Sequence, residues 1–285
     1  MHGLIFSVSQ SGDGDVGKLC DEAWHRPSDI QEIARLWLST TCLKKSFPSS
    51  LQMNTIAQSR RALLFNANMP WQRLQAEISG CRECMTRWPE HVSDPLAMGE
   101  IPDPPPSIEI LFVGVAPTNL LGRHRGTHFY SSPSDPLRRG LFRLLQEHFH
   151  VPLSLVSMED DNRTFHAHGY FFVHAGKARP LGLDAPPRDA LSYCARRHVS
   201  SEIPALKPKA ICFLGKTRLS SIAEALFDQP IAMEPVLASL GDWSGWVALA
   251  PQPVRGNASR TLQVLSLLRL RCRETTLERN HGLAP

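Results

Sequence analysis

From Ile108 to Val115 the chain reads IEILFVGV, a nearly continuous apolar run. Such a run has the character of a strand buried on both faces, as in a parallel sheet. It breaks at Gly114-Val115-Ala116-Pro117 into a loop with two more glycines, Gly122 and Gly126, before Phe129. A buried parallel strand emptying into such a loop places it at the carboxyl edge of the sheet, where open α/β sheets bind ligands. The same spacing also describes an ordinary connection from strand to helix, and both readings stand at this point.

Three later segments repeat the pattern: residues 169–174 (GYFFVH), 209–214 (KAICFL) and 246–250, each stopping at small or polar residues. Helical periodicity falls between them, at about 136–148, 187–206 and 219–227, and again after Asn257, a helix cap. Four buried strands alternating with helices predict an α/β fold, a three-layer α/β/α sandwich around a four-stranded, mainly parallel central sheet. Residues 150–168 are polar and read as an insertion loop. Before residue 75 the chain shows helical patterning. Ser28 and Gln31 form a capping box, followed by Ile30, Ile33, Leu36 and Trp37 on one face. Residues 1–75 are expected to be a helical N-terminal extension and residues 76–285 the α/β/α domain, entered through the proline-rich stretch 101–106.

A chain of 285 residues can bury one sizeable core and a small second unit. Its 42% hydrophobic and 20% charged residues are those of a soluble globular protein. A net charge of +4 permits a nucleic-acid partner without arguing for one, so local basic clusters matter more. Seven cysteines, an odd number, and an N-terminus (MHGLIFSVSQ) without a basic region point to a reduced, cytoplasmic protein. No apolar run reaches membrane-spanning length, and a monomer is expected.

The four strand ends gather at one edge. The first loop brings Asn119, Arg123, His124, Arg125 and Phe129; the second, His174 and Lys177. The third brings Lys216 and Arg218, and the fourth Gln252, Arg255 and Asn257. An aromatic ring, hydrogen-bonding groups and several cations together suit a flipped base with its flanking phosphates. The alternative is that the cations are solvated loop charges. Cys81-Arg82-Glu83-Cys84 follows a helix and is either half of a metal site or two buried thiols one turn apart.

In order and spacing these segments resemble the uracil-DNA glycosylase superfamily, most closely its iron–sulfur branches. Those begin with C-x-x-C, continue to a strand ending in G-E-A-P-G or G-L-A-P-A, and place a base-stacking Phe further on. The counterparts are Cys81 and Cys84, then Gly114-Val115-Ala116-Pro117-Thr118, then Phe129. The family's T-N-x-x-K-C-R-P falls on Val173-His174-Ala175-Gly176-Lys177-Ala178-Arg179-Pro180, and its I-x-x-L-G on Ile211-Cys212-Phe213-Leu214-Gly215. Its final H-P-S falls on Gln252-Pro253-Val254.

The resemblance implies a monofunctional DNA glycosylase. Main-chain amides around Val115, Ala116, Pro117 and Thr118 would hold the base with Gln252, while Phe129 stacks on it and His174 reads its edge. Arg123, Arg125, Lys177, Lys216, Arg255 and Asn257 would contact DNA, with Arg255 entering the duplex or gripping phosphate. Asp135 or Asn119 would place the water. Asp135 has a competing reading, since Ser134-Asp135-Pro136 also has the form of a helix cap. The family's [4Fe-4S] cluster takes four thiolates. This chain keeps Cys81, Cys84 and Cys194, the last sixteen positions after Ala178, which occupies the fourth ligand's place. A cluster completed by another residue, zinc in its place, and loss of the metal remain open, with loss favoured; the chemistry needs no cofactor.

The Asn that reads uracil and the final His are replaced by His174 and Gln252. The expected substrate is therefore a modified base, for example a hypermodified pyrimidine such as glucosylated 5-hydroxymethylcytosine in phage DNA, in an anti-phage role. Uracil removal in base-excision repair and a catalytically inactive DNA-binding module are the alternatives.

Overall fold

The computed structural model describes residues 71–117, 128–182, 185–254 and 256–280. The helical patterning expected before residue 71, with its Ser28 cap, lies outside them. Helix α1 (Trp71–Gly80) buries Trp71, Leu74, Gln75 and Ile78, the spacing of one helical face. The Trp71 ring meets Phe171 edge-on at 5.5 Å. Residue 75 lies inside this helix. A short helix α2 (Glu83–Arg87) carries Cys84 and leads into β1 (Val92–Pro95).

The organising strand is β2 (Ile110–Gly114), with every residue buried. Helix α3 (Pro136–Phe149) starts with proline inside its first turn and Asp135 as its cap. Helix α4 (Met158–Ala167) follows, capped by Ser157, with Glu159, Asp160 and Asp161 in its first turn. The insertion loop expected over 150–168 is therefore corrected to a helix that contributes to the core. Its acidic start suits the positive end of the helix dipole, and its buried Phe165 anchors it.

Next come β3 (Tyr170–His174), β4 (Ala178–Pro180) and α5 (Arg188–Cys194). A π turn over Ala195–Val199 joins α5 to α6 (Ser200–Leu206). The chain finishes with β5 (Ala210–Leu214), α7 (Lys216–Phe227), β6 (Val236–Leu240), β7 (Trp243–Ala250) and α8 (Ala258–Asn280).

The fold is mixed α/β around a five-stranded sheet of order β3-β2-β5-β7-β6. The first four of these strands run parallel, and β6 is antiparallel to β7. The expected four-stranded count is thus one strand short. Leu240 pairs with Trp243 across a two-residue turn. There Gly241 takes φ +62°, a backbone conformation that hairpin turns of this length commonly use. A separate antiparallel pair, β1 with β4, occupies part of the loop expected after β3.

Parallel register brings Gly114 level with His174, and Leu214 level with Ala250. The loops that follow therefore leave the same edge. At the sheet's outer strand, the Phe172 N–H donates to the Tyr130 hydroxyl at 2.8 Å, so a side chain satisfies a group that an edge strand would otherwise leave open.

Candidate active site

The carboxyl edge is drawn tight by short backbone contacts. Ala175 N–H donates to the Gly114 carbonyl and Gly176 N–H to the Val115 carbonyl, both at 2.8 Å. A Cβ placed on Gly215 would lie 2.9 Å from Val115 Cγ2 and 3.8 Å from Gln252 Nε2. A Cβ on Gly140 of α3 would run into the Pro253 carbonyl. Val115 and Gln252 thus converge on one rim, with α3 pressed against the segment that carries Gln252. Pro117 is buried and has no N–H to offer a departing base.

Beside this rim stands an aromatic stack. Phe129 lies parallel to Phe172 with centroids 4.0 Å apart, and His174 meets Phe172 edge-on at 4.9 Å. Arg138, only 2% exposed, donates to the Phe129 carbonyl at 3.1 Å and to Asn162 Oδ1 at 2.5 Å. Its guanidinium also lies 4.1 Å from the Phe142 ring centroid. Arg138 therefore ties residue 129 to α3 and α4. His174 is 5% exposed, and both its ring nitrogens lack a hydrogen-bond partner. Burial, then the nearby charge of Lys177, holds the imidazole well below its ordinary pKa. It is a neutral group at neutral pH.

Two expected roles meet a different environment. Phe129 is 1% exposed and surrounded by Tyr130, Phe142, Phe165 and Phe172. Its ring is packed as core, and Phe172 takes the stacking position expected for a base. Lys177 is 2% exposed, with its ammonium 2.5 Å from Glu202 Oε2. The expected phosphate contact is corrected to a buried ion pair, because the carboxylate on α6 claims the charge.

Asp135 accepts the Arg138 N–H at 2.7 Å, which is the cap reading of this residue. Lys216 and Arg218 are exposed at the start of α7. Asn257 immediately precedes α8, and its carbonyl accepts the Thr261 N–H at 3.0 Å. Thr118, Asn119, Arg123, His124, Arg125 and Arg255 lie outside the described residues.

Cys84 and Cys194 share a hydrogen bond and face a common cavity with Val92, Gly176 and Ala178. The Cys84 thiol is pushed far up by that bond and by burial. The Cys194 thiol is lowered by the same bond, and its sulfur also accepts the Lys177 main-chain N–H at 3.1 Å. The cavity holds about 10 Å³, space for about one water. Among the described residues, no group of three or more His, Cys, Asp or Glu side chains is placed to hold a metal ion. Ala178, whose side chain is a methyl, lines the same cavity.

Sequence reasoning missed Arg138, His128 and α4. His128 was visible as the neighbour of Phe129, but nothing in its spacing marks it as buried. Arg138 looks like any helix-surface cation until α4 closes over it.

An α/β sheet with its loop-borne polar groups at one carboxyl edge is the frame of a ligand-binding or catalytic domain. The sequence model of the uracil DNA glycosylase superfamily matches residues 101–267, more than half of the chain. The chain belongs to that superfamily, whose members are generally DNA glycosylases acting on DNA. Cys81 and Cys84 fall before the matched region. None of the curated proteins compared with the chain matches it. Among the described residues, no helix is long and apolar enough to cross a membrane.

Proposed function

We propose that the protein is a monofunctional DNA glycosylase that acts on a flipped, modified pyrimidine. In the reaction the bond between C1′ and the base nitrogen breaks, and its electron pair leaves with the base. Water adds to C1′ and gives up a proton. The observation that carries the reading, beside superfamily membership, is His174. It is a buried neutral imidazole with two unpaired nitrogens at the edge where β2 and β3 end. A polar group buried without a partner is costly, and a base edge would supply the missing bonds. Gln252, half-buried on the same rim, would donate its amide N–H to the departing base. Asp135 or Asn119 would orient the water; a carboxylate also offsets positive charge developing on the sugar.

A modified base is favoured over uracil because His174 and Gln252 stand where the resembling enzymes have Asn and His. A hypermodified phage pyrimidine, and with it an anti-phage role, extends that argument. No metal enters the chemistry, and the three cysteines are proposed to hold no cluster. The purified protein is then expected to contain no stoichiometric iron or zinc by elemental analysis.

The test is base release, read as alkali-labile strand breaks. The duplexes carry uracil, 5-hydroxymethylcytosine or glucosylated 5-hydroxymethylcytosine. Release from the modified duplexes alone supports the reading, and release from uracil at least as fast returns the protein to ordinary repair. The burial of Phe129 favours a second reading, a module that binds DNA without cleaving the glycosidic bond. Retained binding with no release from any duplex would select it.

A further inference from the structure

Among the described residues, His128 at this edge is a second imidazole buried with a nitrogen unpaired. His128 is 2% exposed, and its Nε2 has no hydrogen-bond partner. The nearest carboxylate oxygen recorded for it, Glu100 Oε1, lies 3.9 Å away and is held by Arg179 at 2.6 Å. His128 is firmly placed. Its Nδ1 accepts the Tyr130 N–H at 3.2 Å, its own N–H donates to Ser131 Oγ at 2.9 Å, and its carbonyl accepts the Ser131 N–H at 2.9 Å. With Nδ1 used as an acceptor, the proton of the neutral ring sits on Nε2. Burial lowers the pKa of this imidazole; the Glu100 carboxylate offsets part of that and Arg179 adds a smaller lowering, so the net direction favours the neutral ring.

The aromatic stack joins the two segments that carry the histidines. His128 precedes Phe129 in the chain, His174 follows Phe172 by two residues on the same strand, and Phe129 and Phe172 lie face to face. Among the described residues, three buried nitrogens at this edge of the sheet, His128 Nε2 and both ring nitrogens of His174, have no hydrogen-bond partner. Their polarities differ: His128 presents a fixed donor, whereas no protein partner sets the tautomer of His174.

We propose that His128 is a second base-reading residue, donating from Nε2 to an acceptor on the edge of the flipped base beside His174. The identity of the ligand as a base rests on the glycosylase reading; the existence of a two-histidine site does not. A carbonyl oxygen or unprotonated ring nitrogen meets the fixed donor. The neighbouring position is read by His174 as either a donor or an acceptor. The pair accepts keto and amino pyrimidines alike, and leaves discrimination between modifications to the atoms of the base that face away from the histidines.

The test compares the full-length wild type with His128→Leu and His128→Gln on the uracil and modified-cytosine duplexes, with thermal melting to verify that each variant folds. His128→Leu is expected to lower kcat/KM about tenfold or more on every duplex the wild type processes. His128→Gln, which keeps an N–H donor, is expected to recover part of the loss. Undiminished release by His128→Leu would overturn the proposal and leave the glycosylase reading standing. If the wild type releases nothing, imidazole ¹⁵N spectra decide with the same duplexes. A His128 Nε2 shift with the base-bearing duplex, absent with an abasic duplex, supports the site while the glycosylase reading falls. No shift, or the same shift with both, would mean that the nitrogen serves a buried water only.

Discussion

Asp135 faces two demands that a single substitution separates. As the cap of α3 it needs one oxygen toward the Arg138 N–H; as a general base it needs a charge. Asparagine caps as well as aspartate does, whereas alanine loses about 1 kcal/mol. Asp135→Asn is therefore expected to keep the urea midpoint within about 0.5 kcal/mol of wild type. Base release should fall by about 100-fold or more if the charge orients the water. Full release by that variant would leave Asp135 a cap alone. Gly114 is constrained differently. A Cβ there would lie 2.5 Å from Phe172 Cζ and 3.4 Å from His174 Nδ1. Gly114→Ala is expected to cost about 1–3 kcal/mol in denaturant unfolding through overpacking, and to disturb base recognition because His174 must move with Phe172.

Between elements, the buried Lys177–Glu202 pair links the segment joining β3 and β4 to α6. Both side chains are almost wholly buried, at 3% and 0% exposure. Burial raises the Glu202 carboxyl, while Lys177 pulls it down. Removing one partner strands the other charge, so Lys177→Met alone is expected to lose about 3–5 kcal/mol. The double variant Lys177→Met, Glu202→Leu is expected to recover most of that loss, because an apolar pair removes both desolvation costs. A double-mutant cycle by urea unfolding measures the coupling; a double variant no more stable than the single one would contradict it. The Arg138 tie between α3, α4 and the Phe129 carbonyl belongs to the same scale, since it holds the turn that carries His128.

At the scale of the whole molecule, three buried histidines and the half-buried His166 make stability depend on pH. Burial lowers His166 to about 4 and His198 to about 3. It also takes His128 below, and His174 well below, the ordinary 6.5. A lowered imidazole binds its proton less readily in the folded than in the unfolded chain. Stability therefore rises with pH between the two values and is fully present above 6.5. It is lost as pH falls from there toward about 3. Glu202, raised by burial, works against this trend at the acid end. The urea midpoint is expected to be flat just above 6.5 and to decline below it. His198→Phe should flatten the slope if the buried imidazole, rather than net charge, drives it.

The apolar runs by themselves determined the parallel core. β2, β3 and β5 are buried at every position, and a continuous hydrophobic run has few places to go other than a buried parallel strand. The cap at Asp135 and the helix after Asn257 were legible for the same reason, being set by neighbours in the chain. Strand β6 was less visible, since its buried and exposed positions mix and it depends on β7 for its bonds. Helix α4 escaped notice because its residues are mostly polar and only packing shows that Phe165 and Asp161 are buried. The candidate site divides along the same line. Which residues leave the strand ends follows from order along the chain. That Lys177 is spent on Glu202, that Phe129 stacks on Phe172, and that His128 and His174 hold unpaired nitrogens at one edge were decided only in three dimensions. Burial and hydrogen-bond partners are properties of neighbours in space, and the chain order does not contain them.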